Sequence, residues 1–255
     1  MSDFPSSPIS PAPPIEPPAP LLVRLPSAPP LVTVSLLVVC ILVYLGQLAG
    51  GPLFGYDMLA ALGAKVNDAI VAGQWWRLVT PMFLHGSLAH IAFNMYALYV
   101  IGRPLETRYG NLRFLMLFLI GGVAGNVLSF AFSPNASLGS STAIFGLLAA
   151  QAVFFYQNRQ LLGGQASRAL SQIGSIALIN LIIGFTVPQI DNFGHIGGAM
   201  GGAAFAWFAG PLLRIEGNYP ALTLGDQRDL RRAWLVALAL GCLLTLVTLL
   251  LILIK

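Results

Sequence analysis

From residue 31 onward the chain is a succession of long apolar runs separated by short polar breaks. A helix needs roughly 20 apolar residues to cross a hydrocarbon core about 30 Å thick. Seven runs qualify as candidates: 31–49, 81–101, 114–132, 142–156, 173–187, 194–213 and 233–254. The pattern predicts an all-α, polytopic membrane protein. The fourth run sits at or below the lower limit for a full crossing and begins just after a Ser-Gly-rich loop. Such a helix can start below the membrane surface, at a water-filled cavity inside a bundle. The segment 50–80 joins the first two runs. It is too apolar for a solvated loop, and with Trp75 and Trp76 it is expected to lie partly in the interface.

Composition agrees with the pattern. Hydrophobic residues make up 56% of the 255 and charged residues 9%, against roughly 25% charged in a soluble protein. So few charges cannot clothe a soluble globule, which excludes a soluble enzyme, a disordered protein and a typical nucleic-acid binder. Eleven of the 18 prolines fall in residues 1–30, which predicts a mobile, solubilising cytoplasmic tail. The tail has no basic n-region, so no cleavable signal peptide is expected. Residues 214–232 read as a cytoplasmic linker before the last span at 233–255. Cys40 and Cys242 both lie in apolar runs and are expected to be small core residues rather than a disulfide or metal site.

Basic residues set the orientation. With the N-terminus inside, ten lie on the cytoplasmic side: Arg24, Arg103, Arg108, Arg113, Arg159, Arg168, Arg214, Arg228, Arg231 and Arg232. Lys65, Arg77 and Lys255 lie outside. The expectation is a multi-pass protein of the plasma (inner) membrane with a cytoplasmic N-terminus and an external C-terminus.

Polar groups at depth are costly and stand out. All three histidines, His85, His90 and His195, lie in or at the edge of spans. Asn94 shares a helical face with His90, and His85 is expected about 140° around the same helix. Hydrogen-bond glue between helices explains an isolated intramembrane histidine. Three histidines with an asparagine favour a site. A second cluster, Gly139-Ser140-Ser141-Thr142, opens the short fourth run. A serine there is ordinarily an N-cap. A nucleophilic serine needs a base, and His195, at the same end of the parallel sixth span, is the candidate for Ser141. Gly194, Gly198 and Gly202 in the sixth run and Thr142, Gly146 and Ala150 in the fourth share a four-residue spacing, small-residue stripes that would let two helices approach. Phe145, one turn after Ser141, can pack on the His195 ring. The Ser141 N–H, His90 and Asn94 are candidate oxyanion donors.

These residues resemble the rhomboid family of intramembrane serine proteases. The matching motifs are Gly139-Ser140-Ser141 with Ala143-Ile144-Phe145-Gly146, His195-Ile196-Gly197-Gly198 with Gly202, the His85, His90 and Asn94 set, and Trp76-Arg77. The resemblance spans about residues 31–213. It implies a six-helix core plus one C-terminal helix, Ser141 as nucleophile, His195 as general base, and His90 and Asn94 as oxyanion donors. His85 is implied as a polar residue near the cavity, and Trp76-Arg77 as the pair that holds the first external loop. Thr142 departs from the family's glycine, which bears on substrate preference through a narrower pocket or an added hydroxyl. Ser140 is the rival nucleophile, with motif alignment and the Phe145 spacing favouring Ser141. Asp191, four residues before His195, is read as a loop residue.

The resulting expectation is hydrolysis of peptide bonds in or near transmembrane segments of membrane proteins, with no nucleic-acid partner and no metal or organic cofactor. A substrate helix would approach beside the fifth span, and residues 187–193 would cap the site. A zinc protease is the first alternative, disfavoured because no His-Glu-x-x-His motif is present. The second is a non-enzyme: an inactive rhomboid-like binding or quality-control factor, or a transporter.

Overall fold

The computed structural model describes residues 28–187, 189–218 and 222–255. The proline-rich tail up to residue 27 and Pro188, assigned above to a solubilising tail and a cap, lie outside the described residues.

The described residues are predominantly helical. Helix α1 (Leu31–Phe54) ends at Gly55, whose φ of +80° gives the left-handed turn that closes it. Two short helices follow, α2 (Met58–Gly63) and α3 (Asn67–Val71), then two 3₁₀ turns at Trp75–Leu78 and Thr80–Phe83. Helix α4 (Leu88–Ala97) passes through a π turn at Leu98–Gly102 into α5 (Arg103–Tyr109). The remaining helices are α6 (Asn111–Phe132), α7 (Ser141–Gln157), the single turn α8 (Arg159–Leu162), α9 (Gly164–Thr186), α10 (Asn192–Ala209) and α11 (Leu230–Ile254). A two-stranded antiparallel hairpin, β1 (Leu213–Glu216) and β2 (Thr223–Asp226), precedes α11 within the stretch read as a plain linker.

Among the described residues, four helices are long and apolar enough to cross a membrane: α1, α6, α9 and α11. Helix α7 is shorter. The second apolar run is not one helix from residue 81. Pro81 sits in a 3₁₀ turn, Leu84 is extended, and Ser87 caps a new helix by accepting from the His90 N–H at 3.1 Å. His85 therefore lies before α4 rather than around its axis, which corrects the 140° placement. Cys40 is buried in α1, but Cys242 is exposed on α11, so only one of the two cysteines is a core residue.

Helix α6 is the centre of the bundle, with two thirds (67%) of its apolar stretch inside the protein. Helices α7 and α10 pack on it through glycine. A Cβ on Gly198 would stand 2.0 Å from the Thr142 carbonyl oxygen, and one on Gly202 would stand 2.2 Å from that of Gly146. Only bare backbone allows this approach. It sets the N-terminal ends of α7 and α10 side by side.

At the opposite end of the bundle, buried Glu106 accepts from Val32 N and Thr33 N at 2.7 Å each and from Thr33 Oγ1 at 2.6 Å. A carboxylate on the first-turn N–H groups of α1 satisfies orphan donors and suits the positive end of the helix dipole.

Candidate active site

Ser141 is the first residue of α7, and its Oγ lies 3.0 Å from His195 Nε2, in the first turn of α10. The shared helix packing fixes this distance. The Phe145 ring stacks on His195 with centroids 4.1 Å apart and planes 9° from parallel. The imidazole is thus held between the serine and a phenyl face. Its Nδ1 is buried and without a partner among the described residues.

Asp191 does not complete a triad. It is the N-cap of α10: one carboxylate oxygen accepts from Gly194 N at 2.9 Å, and the other takes the Ser129 hydroxyl. It has a definite place in the fold beyond that of a loop residue, and acts on His195 by fixing the start of its helix.

The segment entering α7 has unusual backbone. Gly139 has φ +131°, and its α-carbon faces His90 so closely that a Cβ would stand 2.7 Å from Nε2. Its N–H donates to Pro81 O at 2.8 Å. Only glycine suits both the torsion and the contact. Asn94 lies one turn beyond His90, is buried, and its Nδ2 has no partner among the described residues.

A cavity of about 1000 Å³ joins these groups. Ser141, His195, His90, Asn94, Gly139 and Phe145 all line it. Its side walls come from α4 (Phe93, Tyr96, Ala97) and α9 (Ile176, Asn180, Ile183).

Five residues singled out in the sequence do not line the cavity. His85 is 1% exposed and does not line the cavity; its Nε2 lies 3.3 Å from the buried Ser140 hydroxyl. Ser140 is fully buried (0% exposed), and its hydroxyl lies against His85, while His195 faces Ser141. Trp76 and Arg77 belong to the loop before α4. Arg77 donates to the carbonyls of Ala64 at 2.7 Å and Ala61 at 2.8 Å, and Trp76 Nε1 donates to Leu62 O at 3.0 Å. Together they satisfy the C-terminal carbonyls of α2. Gly198 lies in the α7–α10 interface.

Several participants carried no visible signal. The Gln47 amide clamps the His85 peptide, accepting from its N–H at 2.9 Å and donating to its carbonyl at 3.1 Å. Asn126 lines the cavity and donates to Leu78 O at 2.9 Å. Lys65 is completely buried beside the segment that leads to Ser141. Among the described residues, no group of three or more His, Cys, Asp or Glu side chains could hold a metal ion.

The Rhomboid domain model matches residues 72–212, more than half of the chain. The chain belongs to the rhomboid family. The chain is 42% identical over 191 residues to rhomboid protease GluP of Bacillus subtilis, covering 73% of this chain and 35% of that protein. RHOMBOID-like protein 9, chloroplastic, of Arabidopsis thaliana is 35% identical over 173 residues, covering 66% and 40% respectively. RHOMBOID-like protein 2 of the same plant is 32% identical over 202 residues, covering 76% and 62%. The matched stretch thus spans between about a third and three fifths of these relatives. As a rhomboid with apolar spanning helices, the protein is an integral, multi-pass membrane protein.

Proposed function

We propose that this rhomboid is an intramembrane serine endopeptidase that cleaves membrane proteins in or near their transmembrane segments. One observation carries the reading: a serine hydroxyl at a helix N-terminus lies 3.0 Å from a histidine nitrogen, in a cavity deep in an apolar bundle. A protease among its relatives, sharing 42% identity, supports the reaction class.

Ser141 Oγ attacks the scissile carbonyl while His195 Nε2 takes its proton and passes it to the leaving amine. The Phe145 stack keeps the ring edge on the serine. Charge on the tetrahedral oxygen needs donors. The Ser141 N–H, first in its helix, has no intrahelical acceptor. The His90 Nδ1 accepts from Gly86 N at 3.4 Å, which leaves the proton on Nε2, facing the Gly139 segment. Asn94 Nδ2 is buried and free to donate. Water then hydrolyses the acyl-enzyme and regenerates Ser141. His85 and Ser140 support the loop from behind.

Walls from α4 and α9 make the space between these helices the route for a substrate helix. The helix must unwind to expose a peptide bond, which Gly or Pro near the cleavage point eases. The same reading places the site toward the external face, the N-terminus in the cytoplasm, and the protein in the plasma (inner) membrane. It makes 31–213 the protease core, with α11 as an added seventh span.

A fluorophosphonate probe on protein in liposomes tests it. Labelling is expected in wild type and Ser140→Ala, and absent in Ser141→Ala and His195→Ala. Labelling that persists in Ser141→Ala refutes the nucleophile. A wild type that never labels or cleaves, yet binds membrane proteins, is the inactive relative instead.

A further inference from the structure

Lys65 is the only lysine or arginine among the described residues with no exposure at all, and the Ser141–His195 reaction does not use it. Its Nζ donates to Asn135 O at 2.7 Å, Ser133 O at 3.0 Å and Asn67 Oδ1 at 3.1 Å. The Ser129 carbonyl stands farther off, at 3.5 Å. An ammonium has three N–H donors, and three oxygens lie within 3.1 Å. Two of them are backbone carbonyls just past the C-terminus of α6, where a cation suits the negative end of the helix dipole.

The position along the chain matters more than the burial. The Lys65 backbone forms an isolated antiparallel bridge with Ser137, with Lys65 N to Ser137 O at 2.9 Å and Ser137 N to Lys65 O at 3.1 Å. Ser137 comes four residues before Ser141. The side chain therefore grips one half of the connection from α6 to α7, and the backbone grips the other. Gly139 and the start of α7 hang directly from this clasp.

Resting on the serine-protease reading above, we propose that Lys65 is a positioning residue for Ser141. Its ammonium locks segment 133–137 onto the external loop and so holds the nucleophile at hydrogen-bond distance from His195.

Charge state enters through geometry. A neutral amine has two N–H groups and would aim a lone pair at a carbonyl. Charged groups facing Lys65 are Asp191 from the start of α10 and Lys255 beyond α11; Asp68 of α3 lies beside Lys255. Burial lowers the Lys65 pKa from 10.5 to about 8, Asp191 opposing the fall and Lys255 adding to it. The unfolded chain then holds the extra proton between about pH 8 and 10.5, so raising the pH through this window favours the folded state at this group. Deprotonation removes one of the three N–H donors while the amine stays buried, so segment 133–137 loosens locally as the pH passes 8 without Lys65 reaching solvent, and global stability does not fall for that reason. A merely structural lysine would not separate the two.

The test uses the full chain in liposomes, as wild type, Lys65→Arg and Lys65→Met; the backbone bridge remains in all three. Probe labelling rate, thermal unfolding and amide hydrogen exchange of residues 133–140 are followed across pH 6–10. For Lys65→Met, labelling is expected to slow about tenfold or more, with faster exchange confined to 133–140. Lys65→Arg should retain labelling and move the alkaline loss upward by about one pH unit or more, because guanidinium stays charged. In wild type, exchange at 133–140 should rise above the intrinsic base-catalysed trend beyond pH 8, with no matching fall in unfolding temperature. Wild-type labelling and exchange in Lys65→Met, or an unmoved alkaline limb in Lys65→Arg, overturns the proposal. If wild type never labels, the serine-protease reading fails, and exchange at 133–140 alone decides whether Lys65 is the clasp. If Lys65→Met does not fold, the wild-type and Lys65→Arg pH series carry the decision.

Discussion

Gly139 concentrates the demands of the site in one residue. Its φ of +131° is open to glycine, and any Cβ would press on His90 at 2.7 Å. Strain of this kind costs about 1–3 kcal/mol. Gly139→Ala should lower probe labelling at least about tenfold while circular dichroism keeps its helical signal; full labelling would show that the His90 contact is dispensable. Phe145 makes a subtler contribution. Phe145→Ala removes the face against which His195 is stacked, so kcat should fall with KM little changed, and Phe145→Tyr should restore it; an unaltered kcat would remove Phe145 from the reacting geometry. Ser141, His195, His90 and Asn94 were legible in the sequence because polar groups are rare in apolar runs. Lys65 and Gln47 were not, because they bind backbone carbonyls and amides, and no side-chain pattern records where a distant backbone will pass. His85 was legible as a polar outlier but misplaced, because the break at residues 84–87 is made by one Ser87 cap and leaves the apolar run unbroken.

At the level of elements, three helices meet through glycine, and the Thr142 side chain sits where they meet. Its methyl faces Gly125 and Gly194: a Cβ on either would stand 2.7 Å from Thr142 Cβ or 3.0 Å from its Cγ2. Its hydroxyl is buried without a partner among the described residues. The residue was expected to narrow the pocket or to add a hydroxyl near the dyad. It does line the cavity, and its methyl also fills a notch between α6 and α10, which two glycines leave open. Thr142→Gly should therefore empty the notch and destabilise the bundle by about 1 kcal/mol, with labelling preserved and a drop in unfolding temperature as the readout. Gly198→Val does the reverse. Its side chain would collide with the Thr142 carbonyl, force α7 from α10 and abolish labelling; retained labelling would mean that the dyad distance does not depend on this packing. The small-residue stripes showed in the sequence that α7 and α10 could approach. The third helix, α6, was not legible as their partner: its Gly121 and Gly125 show the same four-residue spacing beside Gly122 and Ala124, but such spacing alone does not say which helix it meets.

For the whole molecule, the question is what α11 adds to a core that already holds every candidate catalytic group. Its mooring is specific. Asp226 of the hairpin pairs with Arg113 of α6, and Arg228 donates to Gly210 O at 2.8 Å and Gln157 Oε1 at 3.1 Å. Higher up, Leu244, Val247, Leu251 and Ile252 pack on a cluster of Ile70, Leu78, Val127 and Phe130. That cluster joins the 50–80 segment to the C-terminal part of α6, where Val127 and Phe130 flank Ser129 and the Lys65 clasp. Removing α11 would uncover it on the side of the loop that braces the nucleophile segment. Truncation after residue 229 should thus lower the unfolding temperature and speed hydrogen exchange around residues 65–80. Labelling by a small probe should decline only partly, since Ser141, His195, His90 and Asn94 keep their own helix contacts. Asp226→Ala, which cuts the mooring but leaves the apolar contacts, should produce a smaller shift of the same kind. Equal labelling and equal exchange in the truncated protein would make α11 a passive anchor. A complete loss in the truncated protein, with folding intact by circular dichroism, would place α11 inside the catalytic unit.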